Sequence, residues 1–251
     1  MDAVMRSLSK ACFLAVAVAV LGCGGNDSNS VTTVFGESQT IGALTARTSA
    51  TLVNGQVTEA VTIVPRGMLT PAPAQGTGPA GSFLSLDYPA EVQNTTFFNH
   101  IEVHYNPAGH PPMVFQVPHF DIHAYGITEA QVRAIPVPDT VAPAANRLPT
   151  GYMYDGVDRS IPEMGVHAMR HEDMADPFRQ AMILGYSQGS MIFIEPMINA
   201  NVFINKENVT QTILVPPVLG RATRYPTRFH ATYDAGSDSY RFVYDQFVNV
   251  N

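Results

Sequence analysis

The sequence predicts an α+β fold rich in β structure, built on an antiparallel sheet or barrel-like core with a few short helices. Three observations carry this expectation. The 251 residues include 19 Pro and 19 Gly beside many Val, Ile, Thr, Tyr and Phe, which favours short strands joined by turns over long helices. Asn54-Gly55 separates two β-prone runs, residues 50–53 and 56–64, and a two-residue hairpin turn needs positive φ at both central positions. Residues 97–105 alternate with period two: Phe97, Ile101, Val103 and Tyr105 share one face, and His100, Glu102 and His104 share the other. The hydrophobic content of 45% is enough for a true core, while a net charge of −7 speaks against a nucleic-acid backbone or an anionic membrane surface as partner.

The N-terminus carries an address. Arg6 and Lys10 precede an apolar run over residues 11–21, too short to span a bilayer but suited to the core of a signal peptide. The run ends in Val20-Leu21-Gly22-Cys23, which resembles the lipobox of bacterial lipoproteins and implies that Cys23 becomes the lipidated first residue of the mature chain. A simple secretory signal with an incidental Cys is the alternative. Gly24 after the Cys resembles an outer-membrane sorting signal, so the expected location is the outer membrane facing the periplasm, with membrane contact through the lipid. The expected organisation is a signal over 1–22, a flexible tether over 23–45 and a single β-rich domain over 46–251. Cys12 leaves with the signal and Cys23 takes lipid, so any metal site must be built from His and carboxylates.

Along the chain, residues 71–81 read as a Pro/Gly loop, and residues 106–109 as a turn leading into His110-Pro111-Pro112. Thr128 with Gln131 has capping-box spacing, which predicts a short helix over 129–135, stopped by Pro136 and Pro138. Residues 137–161 have no period and read as a long loop covering one end of the fold. Residues 180–184 and 190–194 look like two strands about a turn, a short helix is expected near 200–206, and a hairpin closes the chain over 229–244.

Three motifs suggest chemistry. Gly185-Tyr186-Ser187-Gln188-Gly189 resembles the nucleophile elbow of α/β-hydrolases, which would make Ser187 a nucleophile with His230 as base. The β-branched run after Ser190 and the stop at Pro196 favour a hairpin turn instead. His167-Ala168-Met169-Arg170-His171 has the i, i+4 spacing that chelates zinc on a helix, but Ala168 stands where a zinc protease needs Glu. Pro118-His119-Phe120-Asp121-Ile122-His123, read as a strand, puts His119, Asp121 and His123 on one face. A strand rises about 3.3 Å per residue, so the two His lie roughly 13 Å apart and cannot share one ion unless the strand bends. One ion could take Asp121 with either His, completed by His167 and Glu195 from later in the chain. The competing expectation is a metal-free polar network. The face formed by His100, Glu102 and His104 is a rival, more simply read as a solvated strand face.

Two resemblances bear on this. A cupin-like pattern is present only by analogy, since the cupin His-x-His pair and glycine spacing are missing. The set Asn106-Pro107, Gly109-His110-Pro111-Pro112, Pro118-His119-Phe120-Asp121, His123, Met164-Gly165, His167 and Glu195-Pro196-Met197 resembles an exported bacterial family of unknown function, typified by a Thermus sigma-E-regulated envelope protein (TTHB-type domain). It implies a β-rich envelope domain over roughly residues 95–250, with a homo-oligomer as one form open to it, and no established reaction. The expected function is therefore an envelope lipoprotein with a His/Asp/Glu site for zinc, manganese, iron or copper at His119, Asp121, His123, His167 and Glu195. A non-catalytic binding or scaffold protein and a serine hydrolase are the alternatives, and the small-molecule ligand is open.

Overall fold

The computed structural model describes residues 18–19, 30–70 and 81–251. Cys23, the expected loop over 71–80 and, apart from Val18–Ala19, the expected signal segment lie outside the described residues. The described residues fold into two seven-stranded antiparallel sheets and one two-stranded sheet. The first sheet begins with β1 (Val18–Ala19), β2 (Val31–Ile41), β3 (Leu44–Val53) and β4 (Gln56–Pro65). It continues, in spatial order, through β15 (Ser239–Asp245), β14 (Arg228–Asp234) and β12 (Val209–Thr212). The second sheet runs β5 (Leu84–Asp87), β6 (His100–Asn106), β7 (His119–Tyr125), β11 (Ser190–Asn199), β10 (Gln180–Ser187), β9 (Val166–Arg170) and β8 (Tyr152–Tyr154). β13 (Thr223–Tyr225) pairs with β16 (Val248–Val250), and the α-helices α1 (Ala90–Thr95), α2 (Glu129–Arg133) and α3 (Ala200–Ile204) are short. The β-rich, antiparallel expectation holds, as open sheets and not as a closed barrel.

The hairpin signals act as their chemistry requires. Asn54 and Gly55 take φ of 51° and 77°, which lets Val53 pair with Gln56. Gln188 and Gly189 do the same at 49° and 73°, pairing Ser187 with Ser190, so the Gly-x-Ser-x-Gly peptide is a hairpin turn. Thr128 and Gln131 form a capping box at the start of α2. The strands begin earlier than expected: residues 31–41 are not tether but a strand paired along β3. Residues 167–171 are not helical; His167 lies in β9 and His171 in the 3₁₀ turn after it, so the helical i, i+4 spacing is not realised.

The core lies between the two large sheets. Ala50, Ala60, Phe242 and Tyr244 of the first join Ile101, Phe120, Ile122, Leu184 and Ile194 of the second in one apolar cluster. Period two then sends the alternate residues of β6 and β7 to the other face of the second sheet. That face is not solvated. His100, Glu102, His119 and His123 are at most 1% exposed there, because the segments over 107–118 and 137–165 fold across it. Phe115 anchors the first segment, packing edge-on against Phe178 with ring centroids 5.0 Å apart. Val132 of α2 joins Tyr125 and Phe193 in a second small apolar cluster on this side. β11 is a central strand yet carries Pro196, and its ladder to β7 is broken between Ile194 and Met197.

Phe120 ties β7 to this core. Its ring, fully buried, meets Tyr105 at 4.8 Å and Phe203 at 5.2 Å. Phe120→Ala is expected to cost about 3–5 kcal/mol of unfolding free energy in urea denaturation, from lost burial and the cavity left behind; a loss under about 1 kcal/mol would contradict this packing.

Candidate metal centre

Register across the second sheet explains which side chains meet. Glu102 of β6 pairs with His123 of β7, His104 with Asp121, and Asn106 with His119. On the other side of β7, Asp121 pairs with Met197 of β11. Glu195, two residues before Met197, therefore shares its face and falls beside His123. His167 of β9 pairs with Gly185, which pairs in turn with Phe193. Gly185 is a spatial requirement: a Cβ there would lie 2.1 Å from the Phe193 ring. That ring forms a floor 4.7 Å from His123 and 5.6 Å from His167, centroid to centroid.

The expected residues fall into two groups, not one. His110, His119 and Asp121 make an outer triad, and His123, His167 and Glu195 an inner one; within each, one ligand atom per residue lies within 4.8 Å of the others. The strand-rise argument is reflected here, with His119 and His123 in different triads. His110 was not among the expected ligands. It comes from the loop after β6, and the only sequence signal was its place before Pro111-Pro112. In the outer triad Nε2 of His119 and of His110 lie 3.2 and 3.7 Å from the Asp121 carboxylate. In the inner one Nε2 of His123 and of His167 lie 3.6 and 3.8 Å from Oε2 of Glu195. With metal–ligand bonds of about 2.0–2.1 Å, ligand atoms of a tetrahedral ion sit roughly 3.3 Å apart, close to these separations.

Proton positions point the same way. Nδ1 of His119 lies 2.8 Å from the Val117 carbonyl and Nδ1 of His110 lies 2.9 Å from the Pro111 carbonyl. A carbonyl only accepts, so each Nδ1 carries the hydrogen, which leaves Nε2 free to ligate; a backbone carbonyl is a common anchor for a metal-bound imidazole. Nε2 of His119, Oδ1 of Asp121, both ring nitrogens of His123 and Oε2 of Glu195 are buried without a hydrogen bond among the described residues. Asn106 Nδ2 donates to Oδ2 of Asp121 at 2.6 Å and holds the carboxylate in place.

The triads differ in charge. Burial would raise the Asp121 pKa, but His110 and His119 outweigh it and hold the carboxyl far below its usual range. Burial would lower the His110 pKa, but Asp121 outweighs it and the imidazole is raised. In the inner triad burial dominates. It pushes His123 well below the usual histidine value, with His104 adding to the effect, and lowers His167 to about 4. It also raises Glu195 well above the carboxylate range, assisted by Asp121. Burial thus favours the uncharged forms of the inner triad, while the outer one favours an ionised carboxylate.

A cavity of about 400 Å³ opens over this face and is lined by His110, Asp121, His167 and Glu195, with His104 from the neighbouring row. His119 and His123 lie beneath its floor. His100, Glu102 and His104, expected to be solvated, are buried: Glu102 lies 3.4 Å from His100 and 3.3 Å from His104. Burial would raise the Glu102 pKa, yet the two imidazoles outweigh it. Ser187 donates its hydroxyl hydrogen to Asp139 at 2.7 Å, and no hydrogen bond joins it to an imidazole among the described residues. His230, the sequence's candidate base, sits in the first sheet, 3.2 Å from the Thr232 hydroxyl.

Two outcomes are expected. Gly185→Ala should cost about 1–3 kcal/mol by overpacking Phe193, measured by chemical denaturation; an unchanged midpoint would refute the floor. The unfolded chain titrates His167 near 6.5 and the folded chain near 4, so the unfolded state binds more protons between those values. This contribution to the metal-free protein's stability is complete above pH 6.5 and is lost as pH falls toward 4. Thermal unfolding should show a shallower fall over that window for His167→Gln, and equal slopes would refute the assignment.

No protein-family model, curated protein or solved structure matches the chain.

Proposed function

We propose that the chain is an envelope lipoprotein whose covered sheet face holds divalent metal ions, one on His110, His119 and Asp121 and one on His123, His167 and Glu195. The observation that carries this reading is the convergence of buried nitrogen and oxygen atoms that lack hydrogen bonds, in ligand geometry, at both triads. Buried polar groups left unpaired cost about 1–3 kcal/mol each, so several on one face need a common partner. Two imidazoles and one carboxylate with open positions suit zinc or iron, and the same donors accept manganese or copper. Such an ion acts as a Lewis acid on a carbonyl or lowers the pKa of a water. The lipid anchor is supported by Val20-Leu21-Gly22-Cys23 and by the apolar run before it.

A scaffold role has one argument in its favour: burial favours the uncharged forms of His123, His167 and Glu195, which suits burial without an ion. Metal analysis decides between the two. Untagged protein dialysed against zinc is expected to retain about two ions per chain, with Asp121→Asn and Glu195→Gln each losing one. Zinc retention no different from a buffer control, together with no thermal shift on adding zinc, manganese, iron or copper, would leave the scaffold reading.

A further inference from the structure

The cavity has a third chemical feature besides its metal-ligating base. Its wall is apolar, built from Phe115, Ile161, Met164, Met169, Ile183 and Met197. Arg159 also lines it and is exposed. Arg159 ends a 3₁₀ turn over Val157–Arg159 that follows Gly156. Gly156 takes φ of 106° and ψ of 148°, a conformation open essentially to glycine alone, so the turn that presents Arg159 is built into the backbone. No side-chain hydrogen bond engages the Arg159 guanidinium among the described residues, and its charge acts on Asp155, opposing the burial that raises that carboxyl's pKa. Asp155 is its acidic neighbour on the wall, but Oδ1 of Asp155 accepts from the His167 backbone N–H at 3.2 Å. The other arginines of this loop and its surroundings are committed: Arg147 donates to the Gly189 carbonyl and the Ser190 hydroxyl, and Arg170 pairs with Asp173.

A cavity of about 400 Å³ is the size that encloses a small organic molecule. We propose that it takes a small amphipathic anion, with a donor head on the metal at the base, an apolar body along the wall and a carboxylate at the far end paired with Arg159. This deepens the metal-centre reading and rests on it. The guanidinium presents a planar fork of donors that matches a carboxylate, and one whose donors are uncommitted beside an apolar wall favours an anion over a neutral ligand of the same shape.

The test uses the full chain loaded with zinc and two matched series of alkyl hydroxamates over a range of chain lengths, one ending in methyl and one in carboxylate. Binding is followed by calorimetry. At the best-fitting length the carboxylate end is expected to improve affinity by about tenfold, the gain should vanish in Arg159→Gln, and the methyl-ended probe should bind both proteins equally. Equal affinities of the two series for the native chain, or a gain that survives in Arg159→Gln, would overturn the proposal while leaving the metal centre standing. Failure of every hydroxamate to bind, with no zinc retained, would overturn both.

Discussion

A sheet face bearing imidazoles and carboxylates has been covered by loops that leave it open only through one cavity, and that constraint governs the rest of the structure. Each residue pair along β7 serves two environments: Phe120, Ile122 and Ala124 enter the core between the sheets, while His119, Asp121 and His123 face the covered side. Burial of the second set makes every nitrogen and oxygen there answerable for a partner. The backbone carbonyls of Val117 and Pro111 answer for one nitrogen each of His119 and His110, and Asn106 for one oxygen of Asp121. The atoms left over point at one another across the triads. Removing the covering loops would relax this demand, which is why the long irregular segments belong to the site as much as the strands do.

The two triads share a donor set and differ in electrostatic state. The outer one keeps its carboxylate ionised with help from His110, which is 40% exposed at the side chain, so a cation meets a charged and reachable site. The inner one reaches the cavity through His167 and Glu195 but burial favours its uncharged forms, so a cation there would compete with a proton for Glu195. The two carboxylates on this face shift in opposite directions because His110 and His119 outweigh burial at Asp121, whereas at Glu195 burial and the Asp121 charge act together.

Much of the β architecture was legible because it is written in local terms. Asn54-Gly55, the Thr128/Gln131 capping box and the alternation through His100 to Tyr105 depend on neighbours in sequence, and each formed as its chemistry demands. The separation of His119 from His123 also follows from strand rise alone. What the sequence could not display was long-range. The burial of His100, Glu102 and His104 comes from loops that have no periodic signal, and His110 joins the outer triad through a turn after β6. β2 was hidden because its Gly36 and polar residues weaken the alternation, although Gly36 is needed there: a Cβ would meet the Thr48 hydroxyl at 2.3 Å and backbone atoms of Asp87 and Pro89 below 3 Å.

Pro196 gives the central strand an uneven backbone. Lacking an N–H, it cannot donate to the ladder, and pairing between β7 and β11 lapses over the two residues between Ile194 and Met197. One of those two is Glu195. On the other side β10 keeps its register, with Ile183 opposite Glu195 and Met182 opposite Pro196. The Glu195 carboxylate is therefore carried on a stretch of backbone that one neighbouring strand alone holds in the ladder, beside the two imidazoles it faces.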